Sequence, residues 1–581
     1  MTTPSPLEWT ADGQPRSRLF GDVYFSAEDG LAESRAVFLQ GCGLPGAWAG
    51  RRRFVVGELG FGTGLNIAAL LDLWSRSRPA GGQLHIFSVE AFPISAEEAA
   101  RALARWPELA AVSSLLTARW PGRARGVHRI ELPEVSAIVD VAVQEVGPAL
   151  AGWSGRADAW FLDGFAPAAN PDMWTDEILA LVGARSAPGA RAATFTVAGQ
   201  VRRGLAAAGF TVEKRPGFGR KRERLEALLP GFASDPPFPR VASVGAGSAG
   251  AAAARAVRAL GGAPVLIEAD GPGAGASGNP AALVTPRLDA GLGDTAQLFA
   301  RAFGRAVALY RSLPGAVVSA GVRQLGMAER DPDRFARVAA SDLFEPGTLA
   351  LADPAVLELT EALAVEPAAI LDAWAAEVRR AVVGGLTREG AAWRLLDGEG
   401  GVIAEAEVVI LCAGLASRDL VAGLPLSAVR GQASWTTQWA GDVQASAWGG
   451  YVLPAGQGVL FGATHDRDDE AVDVRPGDHQ RNLQTLAVAF PDMARARADA
   501  PLQGRAGIRA VTPDRLPLAG PLGEGLFVLA GFGGRGFSLA PLLAEHVAAL
   551  ALGAPSPLPL GQAELVDPAR FTRRAARRGG S

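Results

Sequence analysis

Two segments of the sequence combine an apolar, β-branched strand pattern with a glycine-rich turn and a helix-forming run. The first spans residues 51–74 (RRRFVVGELGFGTGLNIAALLDLW) and the second spans residues 241–270 (VASVGAGSAGAAAARAVRALGGAPVLIEAD). This order is typical of the opening of a parallel sheet covered by helices. Because the glycine spacing differs between the segments, we expect two different α/β domains fused in one chain.

The rest of the chain agrees with this division. At 581 residues and 49% hydrophobic content, it can build separate cores. We predict a first domain over residues 1–230, with strands RFVVGEL, LHIFSVE, DAWFLDGF and RAATFTV, and a proline-rich linker over residues 231–240. The second domain is predicted over residues 241–581, with nucleotide-binding parts at about 241–300 and 400–560 and a substrate lobe between and around them.

Composition excludes several classes of protein. No apolar run reaches the roughly 18 residues of a membrane span, and the first twenty residues lack a signal-peptide pattern, so a cytoplasmic protein without a membrane partner is expected. Cys42 and Cys412 are isolated and the five histidines show no ligand spacing, which predicts no metal site. The net charge of -4 disfavours coating of nucleic acid by overall charge but leaves a local basic face open. Nothing requires a partner subunit, and a monomer is expected.

The second glycine turn has the spacing of a dinucleotide-binding site. Gly245 permits the tight turn, Gly247 lets the backbone approach a pyrophosphate, and Gly250 lets the helix pack closely on the strand. Glu268 ends the next strand, where an acid accepts hydrogen bonds from a ribose. Glutamate disfavours a 2′-phosphate and hence NADP, while FAD and NAD both remain open from this turn alone.

Later segments resemble the flavin oxidases of the glycine oxidase and D-amino acid oxidase class. They are GPGAGASGNPAAL, VVILCAGLAS, VRGQ, GIRAVTPDRLPLAG and GLFVLAGFGGRGFSLAPLLAEHVA. The resemblance implies FAD as the cofactor, with further contacts from Ser277, Gly278, Asn279, Gly533, Gly534 and Gly536. The substrate carboxylate needs a cation, for which Arg535 is the first choice and Arg430 and Arg509 are the alternatives.

The first glycine turn resembles that of S-adenosylmethionine-dependent methyltransferases. Gly60, Gly62, Gly64 and Asn66 would lie at the cofactor, and Glu58 would meet its cationic amino acid end. Glu90 ends the next strand at the position of a ribose-binding acid, and Asp140 is a candidate adenine contact. The strand in ADAWFLDGFAPAANPDMWT delivers Asp163 to a turn, where it would hold the acceptor amine and take its proton.

The order of these motifs along nearly the whole chain resembles the family of bifunctional tRNA 5-methylaminomethyl-2-thiouridine biosynthesis proteins. DVYFSAEDGLAESRAVFL, ATFTVAGQVRRGLAAAGF and GFGRKRE add to this likeness. The resemblance implies that the flavin domain converts carboxymethylaminomethyl on the wobble uridine of tRNA to aminomethyl, and that the methyltransferase domain methylates the exposed amine. Arg220, Lys221 and Arg222 would then face tRNA phosphates.

Two other hypotheses remain at this stage. One is a fused small-molecule enzyme that oxidises an N-substituted glycine and methylates the product without RNA; the basic segments count weakly against it. The other is a non-catalytic RNA-binding scaffold, which the intact Gly60, Asp163, Gly245 and Glu268 disfavour.

Overall fold

The computed structural model describes residues 5–26, 28–219, 221–375, 377–437, 439, 441–498 and 500–579. The chain divides into two compact units. The first unit contains residues 1–237 and residues 555–560, and the second contains residues 238–554 and 561–581. The proline-rich residues 231–240 span the division. In the described part of the chain, no helix is both long and apolar enough to cross a membrane.

The first unit alternates strands and helices, as a parallel sheet requires. Its strands are β1 (Leu7–Trp9), β2 (Pro15–Ser17), β3 (Arg53–Leu59), β4 (Gln83–Val89), β5 (Gly126–Leu132), β6 (Ala137–Val143), β7 (Ala157–Leu162), β8 (Ser186–Thr194), β9 (Thr211–Pro216) and β10 (Glu223–Leu228). Its helices are α1 (Gly30–Ser34), α2 (Leu65–Ser77), α3 (Ala96–Leu103), α4 (Ala110–Thr117), α5 (Val146–Gly152), α6 (Asp176–Ala184) and α7 (Gly199–Ala207).

Eight of these strands form one sheet in the order β5-β6-β4-β3-β7-β8-β10-β9. The strands from β6 to β8 are parallel, and β5, β10 and β9 add antiparallel edges. Alternating side chains feed two cores, with Val56 and Phe161 on one face and Val55 and Trp160 on the other. From β3, the chain adds β4 on one side of the sheet and later β7 on the other side. A ligand crevice is expected at such a reversal, at the carboxyl ends of β3, β4 and β7.

The second unit opens with its own strand and glycine turn. Its strands are β11 (Val241–Val244), β12 (Pro264–Glu268), β13 (Ala282–Val284), β14 (Val317–Leu325), β15 (Leu349–Asp353), β16 (Val356–Val365), β17 (Val378–Arg380), β18 (Gly385–Glu389), β19 (Ala392–Leu396), β20 (Val402–Ala406), β21 (Val408–Leu411), β22 (Ser427–Thr436), β23 (Ser446–Ala447), β24 (Tyr451–Ala455), β25 (Gly458–Gly462), β26 (Asp466–Arg467), β27 (Gln503–Val511), β28 (Leu518–Gly523) and β29 (Leu526–Ala530).

The helices after residue 237 cover these strands. They are α8 (Ser248–Ala259), α9 (Asp294–Arg311), α10 (Asp331–Ala339), α11 (Pro367–Ala375), α12 (Ser417–Leu420), α13 (Pro476–Ala489), α14 (Pro491–Arg495), α15 (Gly536–Ala551), α16 (Leu560–Val566) and α17 (Arg570–Gly579). A six-stranded sheet has the order β17-β12-β11-β21-β29-β28, parallel except for β28. A ten-stranded sheet, called the substrate sheet below, contains β13 to β16 and β22 to β27, and β26 and β27 flank β22 in it.

The predicted strands are found at their expected places. RFVVGEL is β3 without any shift, while LHIFSVE, DAWFLDGF and RAATFTV correspond to β4, β7 and β8 with ends moved by a few residues. The largest shift is at β8, which begins at Ser186, before the predicted start. Its early residues pair with β7 through a register shift that the apolar pattern does not reveal.

Candidate active sites

The first unit contains a cavity of about 830 Å³ at the carboxyl ends of β3, β4 and β7. The glycine turn, the residues after β4 and the loop after β7 form much of its wall. Among the described residues that line it, the charged side chains are six carboxylates and one lysine: Asp22, Glu33, Glu90, Glu145, Asp163, Asp172 and Lys221. This excess of negative charge suits a cationic ligand, such as a sulfonium or a protonated amine.

The glycine turn brings backbone close to the cavity. Gly60 has a φ of 94°, and a Cβ atom there would lie 2.3 Å from the carbonyl oxygen of Asp163. A larger residue would therefore clash with the loop that carries Asp163, besides adopting a strained backbone. Gly62 and Gly64 also have positive φ and lead into α2. The cradle that results has the form expected for a close approach by the amino acid end of S-adenosylmethionine.

Asp163 lies at the end of β7 and forms part of the cavity wall. Its Oδ2 accepts a hydrogen bond of 2.7 Å from the Asn66 amide, and Ser34 donates to the other end of that amide at 2.7 Å. Burial raises the pKa of Asp163 to about 7, against the lowering effect of the Asn66 hydrogen bond. A carboxyl with this pKa can accept a proton near neutral pH.

The two other predicted acids of this turn lie at different depths. Glu58 is fully buried beneath the cavity and outside its lining, where Ser88 donates to its Oε2 at 2.5 Å. Burial raises its pKa well above the usual range, and its Oε1 has no hydrogen-bond partner among the described residues. Glu90 lines the cavity but accepts hydrogen bonds of 2.9 Å from the backbone N–H groups of Gly62 and Phe92. Glu90 therefore also fixes the shape of the turn.

The predicted adenine contact at Asp140 is wrong. Its carboxylate is buried and accepts hydrogen bonds from Arg129 at 2.8 and 2.7 Å and shares one of 2.7 Å with His85. Burial raises the pKa of Asp140, but Arg129 and His85 together hold this pKa well below its usual range. Gln144 and Glu145, just beyond β6, line the cavity instead. Both oxygens of Asp140 are thus engaged within the protein.

The basic run predicted to face tRNA is partly at the cavity. Lys221 lines it, with Nζ 2.8 Å from Glu33 Oε1 and 4.0 Å from the centre of the Phe195 ring. Arg222 is exposed on the loop between β9 and β10. Arg220 lies outside the described residues. Whether this run binds phosphates stays a prediction.

An aromatic cluster at the cavity was not predicted from the sequence. The ring centre of Phe165, two residues after Asp163, lies 5.1 Å from that of Phe20 and 5.4 Å from that of Tyr24. The ring centres of Phe20 and Phe92 are 6.0 Å apart. These four residues line the cavity, and Phe92 is 40% exposed. The segment DVYFS and the phenylalanine of DGFAP were the available signals, but only the fold shows that they meet.

In the second unit the GxGxxG turn joins β11 to α8. Gly245 has a φ of 103°, and a Cβ at Gly250 would lie 1.6 Å from the Gly245 carbonyl oxygen, so strand and helix pack at the closest possible distance. Glu268 ends β12 and accepts a 2.6 Å hydrogen bond from Ala246 N–H. The N-terminus of α8 beside Gly247 presents the backbone dipole that a pyrophosphate requires.

The other predicted FAD contacts lie on two nearby loops. Ser277 Oγ accepts a hydrogen bond of 3.0 Å from Ser248 N–H at the start of α8, and a Cβ at Gly247 would lie 3.1 Å from that oxygen. A Cβ at Gly536, the first residue of α15, would lie 2.7 Å from Ser248 Oγ. The loops before β13 and before α15 therefore converge on α8. Gly278, Asn279, Gly533 and Gly534 lie on these same two loops.

Arg430 is not available to a substrate, and its prediction as a carboxylate ligand is wrong. It is fully buried and donates hydrogen bonds to Asp478 at 2.5 Å, to the Asp473 carbonyl at 2.6 Å and to the Ala471 carbonyl at 3.0 Å. Arg509 of β27 pairs in register with Val429, which directly precedes Arg430 on β22. Successive residues of a strand face opposite sides, so Arg430 and Arg509 point to opposite faces of the sheet.

Of the three predicted arginines, Arg509 and Arg535 remain candidates for binding an anionic ligand. No carboxylate forms an ion pair with either of them among the described residues. Arg509 lies over Gly431, where a Cβ would be 2.3 Å from its Nη2, and it donates at 3.3 Å to the Thr464 carbonyl. Burial and the nearby Arg287 lower the pKa of Arg535 to about 10. Arg535 donates to the carbonyls of Thr285 and Pro286 at 3.4 and 3.3 Å. A carboxylate bound by either guanidinium would form a charge-assisted hydrogen bond.

Each of the two units contains a match to a known protein family. Residues 107–230 match the family of S-adenosyl-L-methionine-dependent methyltransferases, and residues 240–550 match the FAD dependent oxidoreductase family. The chain is therefore a fusion of a methyltransferase domain that uses S-adenosylmethionine with an oxidoreductase domain that uses FAD. The predicted fold class and both predicted cofactors are confirmed.

Curated relatives extend the likeness over the whole chain. The tRNA 5-methylaminomethyl-2-thiouridine biosynthesis bifunctional protein MnmC of Caulobacter sp. (strain K31) is 58% identical over 595 residues, which cover 99% of each chain. The proteins of the same name from Caulobacter vibrioides and Maricaulis maris are 57% and 45% identical, over 98% and 99% of this chain and 98% of each relative. This chain belongs to that family of bifunctional tRNA-modifying proteins.

Proposed function

We propose that this protein completes the side chain at C5 of a tRNA wobble uridine in two steps. The second unit removes the carboxymethyl group from 5-carboxymethylaminomethyl(-2-thio)uridine, and the first unit methylates the resulting 5-aminomethyl group. The observation that carries the proposal is the end-to-end match with relatives whose name states the 5-methylaminomethyl-2-thiouridine product. Each unit adds a site whose charge suits one of the two steps.

For the oxidative step, the substrate amine carries a carboxylate, and Arg509 and Arg535 are suited to bind it. FAD, when bound, supplies the two-electron acceptor for the C–H bond next to the amine nitrogen. Loss of a hydride from the carboxymethyl carbon and of the proton on the amine nitrogen gives a C=N bond, and addition of water then releases glyoxylate and the primary amine. The protein contributes orientation through these arginines, and no nucleophilic side chain is needed.

For the methylation step, the cavity of the first unit receives a primary amine that is cationic in water. S-adenosylmethionine, when bound, supplies the methyl group. Asp163 holds the amine, takes its proton and leaves a nitrogen lone pair free to attack. The Asn66 amide fixes the orientation of the Asp163 carboxylate. The carboxylates around the cavity favour both cations, and the aromatic cluster offers faces on which a splayed base can stack.

The partner of both sites is accordingly a tRNA, and we place the reaction in the cytoplasm and on a monomer. No cluster of histidine, cysteine or acidic residues that could hold a metal ion is present in the described part of the chain. A fused enzyme for free N-substituted glycines remains the second hypothesis, since Arg509 and Arg535 would bind that carboxylate equally well. A scaffold without activity fits poorly with a carboxyl group whose pKa is raised to about 7 in an acidic cavity.

The test is to incubate the purified protein with tRNA that carries the carboxymethylaminomethyl wobble base, with and without S-adenosylmethionine. Nucleosides are then identified by mass spectrometry. The proposal predicts aminomethyl nucleoside without the methyl donor and methylaminomethyl nucleoside with it. A protein that contains FAD and binds the methyl donor but leaves the tRNA unchanged, while oxidising free N-carboxymethyl amines, would support the small-molecule hypothesis.

A further inference from the structure

Another arginine, Arg467, lies beside Arg509 on the substrate sheet. Arg467 of β26 and Arg509 of β27 are both in register with Val429, from opposite sides of β22. Residues that pair in this way share one face of a sheet, and two inter-strand spacings place their Cα atoms about 10 Å apart. Arg467 is exposed and Arg509 is half-buried. The sheet therefore presents two cations side by side at different depths.

A third arginine joins them around His465. This histidine is exposed and directly precedes β26. Partial burial lowers its pKa, and the charges of Arg509, Arg467 and Arg515 lower it further, while Asp466 opposes them. Arg515 is exposed and follows β27 in a turn, with a φ of 60°. The charges of three guanidinium groups thus reach one exposed side chain, and two of these arginines share one face of the sheet beside it.

Two of the carboxylates nearest in sequence, Asp466 and Asp514, are engaged elsewhere, while the exposed Asp468 directly follows Arg467. Asp466 accepts two hydrogen bonds of 2.7 Å from Arg481, and Asp514 is bonded to Arg570 at 2.9 and 3.0 Å. Among the residues that the structure describes, no carboxylate lies within ion-pair distance of Arg467, Arg509 or Arg515. This concentration of positive charge suits an anion such as a phosphate in addition to a carboxylate.

We propose that Arg467 and Arg515 bind the 5′-phosphate of the modified nucleotide while Arg509 binds its carboxylate. This inference rests on the proposed function of the second unit. In a pyrimidine nucleotide with the usual anti base, the C5 edge faces the 5′-phosphate of the same nucleotide. The C5 substituent and that phosphate are therefore two anions on one side of one ligand. Arg467 and Arg515 are then specificity residues, because a free N-carboxymethyl amine has no phosphate for them.

The test compares four substrates in anaerobic flavin-reduction assays of the full chain. They are 5-carboxymethylaminomethyluridine, its 5′-monophosphate, its 3′-monophosphate and an anticodon stem-loop that carries the same base. The variant is Arg467→Gln with Arg515→Gln. Arg337→Gln is the control for the loss of a single surface charge, because Arg337 is exposed on α10 and has no ion-pair partner in the described residues. Flavin content and thermal melting report on folding.

Loss of two charge-assisted contacts should raise the KM for the 5′-monophosphate and the stem-loop about ten-fold or more. The KM for the nucleoside and for the 3′-monophosphate should change less than about two-fold, and Arg337→Gln should leave all four near the wild type. Equal losses for nucleoside and 5′-monophosphate, a loss confined to the 3′-monophosphate, or no loss at all would each overturn the phosphate site. If the wild-type protein reduces its flavin with none of these substrates, the proposed function itself fails and the phosphate site with it.

Discussion

At the scale of single residues, the methylation site depends on Asp163 and its bond to Asn66. Asp163→Asn keeps the size and polarity of the side chain but cannot take a proton from the amine. We expect the methylation kcat to fall by about 10²–10⁴-fold, the usual contribution of a general base. Methyl transfer to aminomethyl tRNA, followed with labelled S-adenosylmethionine, measures this. Flavin reduction in the same variant is the control and should equal that of the wild type.

The pH dependence of methylation should report the same carboxyl. Burial raises the pKa of Asp163 to about 7, so the rate should rise as pH increases through that value and the carboxylate forms. The Asn66 hydrogen bond lowers this pKa. Asn66→Ala should therefore move the rise to higher pH, which a kcat profile between about pH 5 and 9 would detect. An identical inflection in both proteins would mean that another group controls the reaction.

In the flavin site, the residue with the clearest role is Arg509. Arg509→Gln removes a cation that is half-buried on the substrate sheet and lies over Gly431. A lost charge-assisted hydrogen bond costs about 1.5–3 kcal/mol, which corresponds to about a 10–100-fold higher KM for the carboxymethylaminomethyl substrate in flavin reduction. Methylation of tRNA that already carries aminomethyl should not change. A normal KM would assign the carboxylate to Arg535 alone.

At the scale of elements, the glycine turn after β3 lies at the proposed cofactor site and packs against the loop that carries Asp163. Gly60→Ala would place a Cβ 2.3 Å from the Asp163 carbonyl oxygen at a φ of 94°. We expect a loss of stability above the roughly 1–2 kcal/mol of left-handed strain, together with weaker binding of S-adenosylmethionine by calorimetry. Gly81→Ala is the matched control, since Gly81 has a φ of 70° and no atom within 4 Å of an added Cβ. Equal effects of both changes would show that strain alone matters.

The local order of strand, turn and helix could be predicted from the sequence because it depends on neighbouring residues. β3, β4, β11 and β12 all lie where their apolar runs predicted, and the acids Glu90 and Glu268 lie at or just after the strand ends. Positive φ angles occur at Gly60, Gly62 and Gly64 in the first glycine turn and at Gly245 in the second. These features require no knowledge of distant segments.

The errors concern residues whose surroundings come from distant strands. Asp140 sits directly opposite Arg129 because β5 adds antiparallel to β6, and this edge strand was not predicted. Arg430 directly follows Val429, the register partner of Arg509. Neighbouring residues of a strand face opposite sides of the sheet, so Arg430 points away from the face that carries Arg509. The aromatic cluster combines residues from three loops. Sequence patterns of period two or 3.6 carry no information on such pairings.

At the scale of the whole molecule, the two units handle opposite charges. The cavity of the first unit is lined with carboxylates and suits an amine, whereas the substrate sheet of the second unit carries unpaired arginines and suits a carboxylate. The removal of the carboxymethyl group converts a ligand that fits the second unit into one that fits the first. Under the proposed function, this difference in charge predicts the order of the two reactions.

The measurement that tests this order most directly is a time course with excess protein, S-adenosylmethionine and carboxymethylaminomethyl tRNA, analysed by nucleoside mass spectrometry. The account predicts that aminomethyl nucleoside rises first and then declines as methylaminomethyl nucleoside forms. With Asp163→Asn, the aminomethyl nucleoside should accumulate and persist. Appearance of a nucleoside that is methylated on nitrogen while it still carries the carboxymethyl group would contradict the account.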